Sequence, residues 1–169
     1  MNRSPRRVLT NCGILALVLL LAGPLLGPTS LLVVRLETGE LEAFIPVRPG
    51  ERFSLSYVHS IYDQPAEEIF TIDTEGRICL QALRSRSLAV LEYYDREPAR
   101  KVATGEWEIT VCGSSELVLP VIADKTGKRT LRAAGREIPL YRLGEGGHFQ
   151  LQIERWPNWK VLWAEAIGR

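Results

Sequence analysis

The sequence predicts an all-β fold, an antiparallel β-sandwich or a partly open barrel, for the chain that follows residue 30. Apolar and β-branched segments recur there at short intervals, and turn residues such as Pro49-Gly50 separate them. No segment after Leu31 keeps a convincing helical period of apolar residues. Short strands joined by turns are typical of sandwiches and barrels.

The strands are assigned from runs of apolar or alternating residues. They are predicted at residues 31–36, 41–47, 52–60, 67–73, 78–85, 106–111, 116–122, 129–134, 138–143 and 148–154. The segment 52–60 alternates most strictly, because Phe53, Leu55, Tyr57 and His59 fall on one face. The end of the chain fits either a helix or a last strand.

The first thirty residues differ from the rest. Arg3, Arg6 and Arg7 precede a stretch without charge, whose apolar centre is "ILALVLLLAG". This pattern is typical of a secretory signal with its basic end in the cytoplasm. A good small-residue cleavage site is missing, and the stretch is long enough for a bilayer, which needs roughly 20 residues. We therefore predict a signal peptide or, in preference, a membrane anchor at 1–30 and one exported all-β domain at 31–169.

The charge of the exported part excludes nucleic acid as a predicted partner. Three of the 21 basic residues, but none of the 20 acidic residues, fall in the first thirty positions, so the remainder is slightly acidic. A protein that binds nucleic acid by its phosphates needs a basic surface.

Two cysteines, Cys79 and Cys112, lie in the exported part. A pair in an oxidising compartment is a candidate disulfide. The alternative is two small buried apolar side chains in neighbouring strands.

The stretch "SYVHSIYDQPAEEIF" gathers the polar residues of greatest interest in a chain with two histidines. If it forms one antiparallel hairpin with His59 opposite Glu68, then Tyr57 faces Phe70 and apolar residues meet on one face. Directly opposed side chains lie roughly 5 Å apart at Cβ. This register predicts a His59–Glu68 pair at the edge of the sheet, which either closes the hairpin or contacts a ligand.

The same alternation argues against catalysis by neighbouring residues. His59 and Ser60 point to opposite faces of a strand and form no nucleophile–base pair. The sequence has no Gly-x-Ser-x-Gly elbow, no His-x-His and no CxxC. We therefore predict no catalytic residue, metal or cofactor; the weaker alternative is a metal site of His59, Glu68 and His148.

The residues also resemble a bacterial family, domain-of-unknown-function family 1850. The resemblance spans about residues 32–154 and includes Tyr57; its most specific part is the block of His59, Ser60, Pro65 and Glu68. Genes of this family often lie beside tripartite ATP-independent periplasmic (TRAP) transporters of the TAXI type. The resemblance therefore implies an exported accessory protein, linked to solute uptake and partnered by a TRAP membrane subunit.

One segment departs from the family pattern. Members carry a glycine-containing segment after the fifth strand, whereas residues 85–101 of this chain contain no glycine. The two stretches 85–105 and 123–128 are where specificity would lie. Any pocket that the family builds from the first stretch would differ here.

Three functions follow from these observations. The favoured one is a non-catalytic accessory or binding protein at the periplasmic face of the inner membrane, or secreted after cleavage. The alternatives are a small hydrolase or metal-dependent enzyme that uses His59 and Glu68, and a purely structural or assembly protein. The tryptophans Trp156, Trp159 and Trp163 would add either a membrane or partner contact or part of the core.

Overall fold

The structure is a computed structural model and describes residues 27–94, 98–111, 115–144 and 146–168. Its strands are β1 (Pro28–Leu36), β2 (Leu41–Pro46), β3 (Arg52–His59), β4 (Gln64–Ile72), β5 (Ile78–Ser85), β6 (Arg100–Lys101), β7 (Trp107–Thr110), β8 (Ser115–Glu116), β9 (Val118–Ala123), β10 (Thr130–Ala133), β11 (Arg136–Pro139) and β12 (Gly147–Pro157). The helices are α1 (Leu88–Glu92), a 3-10 turn (Leu140–Arg142) and α2 (Asn158–Ala166).

The strands form two mostly antiparallel sheets. The smaller sheet has the order β2-β1-β12-β9. The larger sheet has the order β11-β10-β3-β4-β5-β7-β6, and β8 adds to the free end of β5. Neither sheet closes on itself among the described strands, so the predicted all-β class is confirmed and no closed barrel forms.

One apolar core is shared by the two sheets. The smaller sheet contributes Leu32, Ile45, Phe149 and Leu151, all nearly inaccessible to solvent. The larger sheet contributes the side chains of one face of β3 and β4, where Phe53 stacks on Phe70 with ring centroids 5.0 Å apart. The alternation of β3 explains this, since every second residue from Phe53 to His59 is buried.

Helix α1 packs on the same face of the larger sheet, further along from the smaller sheet. Helix α1 is a short helix whose Val90 and Leu91 are buried. Val90 packs with Tyr57 and Ala66, and Leu91 packs with side chains of β5 and β7. The larger sheet is therefore covered at one end by the smaller sheet and at the other by α1, and the candidate site described below lies between these two elements.

The chain divides into two compact units. Residues 30–154 form one unit, and the described residues 27–29 and 155–168 belong to the other. The second unit contains α2. Of the two predictions for this segment, a helix or a last strand, the helix is therefore correct for residues 158–166. Neither helix of the described part is long and apolar enough to cross a membrane. The boundary predicted at residue 30 stays a prediction, since residues 1–26 lie outside the described residues.

Candidate functional site

The hairpin of β3 and β4 has a shorter turn than the sequence predicted. Strand β4 begins at Gln64, and His59 pairs with Gln64 rather than with Glu68. The turn is closed by the Asp63 N–H, which donates to the His59 carbonyl at 2.8 Å, and Asp63 adopts a left-handed φ of 49°. Aspartate tolerates this conformation better than most residues, which lets the chain reverse directly after Ser60.

The predicted His59–Glu68 pair is therefore wrong. Glu68 lies opposite Leu55, four residues before His59, which is about 13 Å along an extended strand. The register differs from the predicted one by an even number of residues, so each side chain keeps its predicted face while its partner changes. Glu68 thus points into the apolar face instead of the edge of the sheet.

His59 ends β3 as a buried residue, with 5% of its surface exposed. Three tyrosine rings surround its imidazole, with centroid distances of 5.3 Å to Tyr62, 5.0 Å to Tyr93 and 6.1 Å to Tyr94. The Ile61 N–H donates to its Nδ1 at 3.4 Å. The histidine is thus enclosed by aromatic rings from the hairpin turn and from the segment after α1.

A polar cluster lies next to this aromatic group and consists of the buried Tyr57 and the half-buried Glu68, Tyr94 and Arg129. The Arg129 guanidinium carbon lies 4.4 Å from the centroid of the Tyr57 ring, and its Nη1 lies 3.4 Å from Glu68 Oε2. The hydroxyls of Tyr57 and Tyr94 share a short hydrogen bond. Tyr57 is thus held by a cation on its ring face and by a phenol at its hydroxyl.

The protonation of this cluster follows from its burial. Burial raises the pKa of the Glu68 carboxyl, and the charge of Arg129 and the hydroxyl of Tyr57 offset part of that rise. Burial, the charge of Glu68 and the hydrogen bond with Tyr94 raise the pKa of the Tyr57 phenol. The phenol keeps its proton at physiological pH and remains a hydrogen-bond donor.

The remaining residues of the predicted block have separate positions. Ser60 is exposed in the turn, whereas His59 is buried, in keeping with their predicted separation. Pro65 lies opposite Val58, whose N–H donates to the Gly127 carbonyl at 2.8 Å, away from β4. A proline without an N–H is tolerated at such a position. The Pro65 carbonyl accepts a 2.7 Å hydrogen bond from Ser85 Oγ, which fixes the start of β4 on β5.

A cleft of about 320 Å³ opens at the hairpin tip. Its walls come from the end of β3, from Tyr93 and Tyr94 after α1, and from the loop between β9 and β10. The two stretches singled out for specificity, 85–105 and 123–128, therefore both reach this cleft. A neighbouring cavity of about 270 Å³ is lined by Glu68 and apolar side chains, and Arg129 borders both spaces.

Large apolar side chains are exposed around the cleft. The exposed fractions are 63% for Ile61, 40% for Tyr62, 56% for Tyr93 and 60% for Ile122. Ile61, Tyr93 and Ile122 line the cleft, and Tyr62 contacts His59. We call these four residues, two tyrosines and two isoleucines, the aromatic rim. Exposed apolar residues that cluster in this way are typical of contact surfaces.

The alternative metal set is not brought together. His148 lies on β12 with its Nδ1 3.9 Å from the Glu37 carboxylate, and both side chains are exposed. His59 and Glu68 lie in different parts of the hairpin. Within the described ranges, no three side chains of histidine, cysteine, aspartate or glutamate are arranged to hold a metal ion.

The predicted disulfide stays a prediction. Cys79 is half-buried on β5, and its thiol is free with respect to the described part of the chain. Cys112 lies outside the described residues, so its distance from Cys79 is not defined.

Three residues of the site were missed by sequence reasoning: Arg129, Tyr93 and Tyr94. Arg129 directly precedes β10, and extending the β10–β3 register by one pair places it opposite Tyr57. That signal exists only once the pairing of β10 with β3 is known. Tyr93 and Tyr94 follow a helix of five residues, too short for a periodic pattern in the sequence.

One comparison with known proteins, the match to a family model, agrees with the resemblance seen in the hairpin. No curated protein and no solved structure matches the chain. The family model described as "Domain of unknown function (DUF1850)" matches residues 53–140, from the first buried residue of β3 to the 3-10 turn. The match covers the hairpin, α1 and the loop before β10, and hence the walls of the cleft. It extends over more than half of the sequence, so the chain belongs to the DUF1850 family.

Proposed function

We propose that this protein is a non-catalytic, exported accessory protein that binds a partner through the aromatic rim and the cleft within it. The partner is a membrane subunit of a TRAP-type uptake system, and binding takes place at the periplasmic face of the inner membrane. The family resemblance suggests the transporter, and the basic-then-apolar N-terminus suggests export.

The observation that carries this proposal is the position of the rim. Among the exposed large apolar side chains of residues 30–154, Ile61, Tyr93 and Ile122 line one cleft, and Tyr62 packs on His59, which lines the same cleft. Each leaves apolar surface in water, which is unfavourable by about 25 cal/mol per Å² unless another surface covers it. Tyrosine is also enriched among residues that dominate binding energy.

The rim is supported by a rigid base. His59 packs against three rim or cleft rings, and Tyr57 is fixed below by Tyr94 and Arg129. Side chains held in this way lose little conformational freedom when a partner binds. The resulting surface is therefore preorganised for contact.

The hydrolase alternative is less well supported by the same geometry. A histidine base needs a carboxylate or a nucleophile within hydrogen-bond reach. Glu68 is paired four residues away from His59, and in the described chain the imidazole accepts only the Ile61 N–H. The ring is enclosed by tyrosines, which favours a contact role over proton transfer.

Co-purification tests the proposal. The tagged full chain is isolated from detergent-solubilised membranes of its host, and co-purifying proteins are identified by mass spectrometry. We expect a TRAP permease subunit with the native chain and about tenfold less of it with a Tyr93→Ala/Ile122→Ala variant. Leu117→Ala is the matched control, since Leu117 is 61% exposed but lies outside the cleft.

Two results would contradict the proposal. Recovery of no transporter subunit would remove the link to uptake. Equal recovery with the rim variant and with Leu117→Ala would show that the rim is not the binding surface.

A further inference from the structure

The outward face of helix α2 is made of apolar residues. Trp159, Leu162, Trp163 and Ile167 are 53%, 54%, 61% and 47% exposed. Val161 and Ala164, on the other side of the same helix, are buried. The helix therefore has an apolar side that is packed and an apolar side that is open.

The open side is continuous. At about 100° per residue, Leu162, Ala166, Trp159, Trp163 and Ile167 fall in an arc of about 140° around the helix axis. The charged residues of the helix, Lys160 and Glu165, flank this arc and do not interrupt it. A surface helix of a water-exposed protein has the reverse arrangement, with polar residues outward.

The helix begins beside the point where the long uncharged N-terminal stretch enters the described structure. The Asn158 N–H donates to the Gly27 carbonyl at 2.9 Å. A short hydrogen bond joins the Thr29 hydroxyl to the Asn158 side chain. The start of α2 is thus fixed to residues 27–29, which lie toward the end of the uncharged stretch and follow its apolar centre.

The hydrogen bond between Asn158 and Gly27 relates the open face of α2 to the predicted membrane anchor. If the uncharged stretch spans the bilayer, as its composition predicts, Gly27 lies at the outer membrane interface. The first residue of α2 is hydrogen-bonded to Gly27, so the helix lies at the same level. In that arrangement the lipid surface is an apolar environment within reach of the open face of α2.

We propose that α2 lies in the headgroup region of the membrane, with Trp159, Leu162, Trp163 and Ile167 turned to the lipid. Tryptophan and flanking cations suit this environment, since the indole has apolar and polar parts. Lys160 has its ammonium 3.9 Å from the Trp156 ring centroid, and Arg155 is exposed just before the helix. This inference goes beyond the binding role and rests on the N-terminal anchor, not on the cleft.

Fluorescence quenching by brominated lipid tests the inference. The full chain is reconstituted in vesicles of phosphatidylethanolamine and phosphatidylglycerol with phosphatidylcholine that carries bromine near the headgroup end of its acyl chains. Two of the four tryptophans, Trp159 and Trp163, are on the open face. We expect bromination to quench the native chain, and Trp159→Phe/Trp163→Phe to lose most of that quenching.

Two further variants make the test decisive. Trp107→Phe is the matched control, since Trp107 lies on β7 in the other unit; this variant should keep the quenching. Leu162→Glu keeps all four tryptophans but puts a charge in the centre of the face, so it should weaken the quenching. Circular dichroism checks that each variant is folded.

The inference is overturned if bromination leaves the native chain unquenched, as it would if a protein partner covered the face. It is also overturned if Trp159→Phe/Trp163→Phe is quenched as strongly as Trp107→Phe. Neither result bears on the co-purification with Tyr93→Ala/Ile122→Ala, so failure here is distinguishable from failure of the proposed function.

Discussion

Two partly or fully buried carboxylates of the larger sheet, Glu68 and Glu108, are treated oppositely by their surroundings. Glu68, on β4, has 18% of its side chain exposed and one arginine partner, Arg129, at 3.4 Å. Glu108, on β7, has 7% exposed and two arginine partners, Arg84 at 2.7 Å and Arg100 at 2.8 Å. Glu108 thus has the smaller exposed area and the better pairing, whereas Glu68 lies deeper in the protein with one longer contact.

The pKa shifts follow the pairing. Hydrogen bonds from Arg100 and Arg84, with their charges, lower the pKa of the Glu108 carboxyl and outweigh its burial. For Glu68, burial outweighs Arg129, and the pKa is raised. Two factors therefore separate the two carboxyls: the depth of burial, which dominates at Glu68, and the number and closeness of the hydrogen bonds, which dominate at Glu108.

The difference also separates a residue of the fold from a residue of the site. Glu108 joins Arg84 on β5 to Arg100 on β6, so its pair ties three strands together. Arg129 borders the cleft at the hairpin tip, and Glu68 lines the neighbouring cavity; a poorly stabilised charge beside such a space is typical of a functional position.

Glu108→Gln should have the largest effect. The amide accepts one hydrogen bond but presents its NH₂ to a guanidinium, so the variant should lose about 2 kcal/mol of unfolding free energy at pH 7. Most of this loss comes from Arg84, since Arg100 is 69% exposed and an exposed pair contributes little. Urea denaturation measures the loss; a midpoint equal to that of the native chain would contradict it.

Arg129→Gln should have an intermediate effect that depends on pH. Loss of the guanidinium leaves Glu68 without its cation and removes the contact on the Tyr57 ring. The unfolding free energy at pH 7 should therefore fall by about 1–2 kcal/mol. Below the pKa of Glu68 the carboxyl is neutral and the cation matters less. We therefore expect the destabilisation to shrink between pH 7 and pH 4 in urea titrations; a loss independent of pH would contradict the role of Arg129 as the partner of Glu68.

Glu68→Gln should have the smallest effect and is the matched counterpart of Glu108→Gln. Burial penalises the charged carboxylate of Glu68 and its single contact with Arg129 offsets part of that penalty, so a neutral amide should change the unfolding free energy at pH 7 by less than about 1 kcal/mol. A raised pKa contributes stability that is full below the ordinary carboxyl pKa and is lost as pH rises through the raised value. The variant should lack this decline, and thermal unfolding across pH 4–8 measures it; a decline as steep as in the native chain would assign it to another group.

The contribution of Glu108 to stability depends on pH in the opposite sense to that of Glu68. Its lowered pKa contributes stability that is present above the ordinary carboxyl pKa and is lost as pH falls through the lowered value. The same pH series on Glu108→Gln should therefore lose its difference from the native chain at acid pH, not at neutral pH.

The faces of the strands could be predicted from the sequence, but their register could not. Alternation places Tyr57 and Glu68 on the same face in any register that differs by an even number of residues. The predicted and observed registers of β3 and β4 differ by such a number, so alternation assigns the same residues to each face in both, although the observed register places Glu68 opposite Leu55. The deciding feature is the left-handed Asp63, which shortens the turn.

The site was harder to predict than the sheets because its parts are distant in sequence. Arg129 reaches Tyr57 only through the pairing of β10 with β3, and Tyr94 follows a helix of a single turn. The pattern of the chain did indicate which loops to examine, 85–105 and 123–128. It did not show that they meet at one cleft.

The most direct test of the contrast between site and fold is the titration of both carboxyls by NMR. With ¹³C-labelled glutamate, assigned by Glu68→Gln and Glu108→Gln, the side-chain carboxyl shifts are followed from acid to neutral pH. We predict a midpoint for Glu68 above the usual glutamate range of about 4.3 and one for Glu108 below it. Equal midpoints, or the reverse order, would contradict the account.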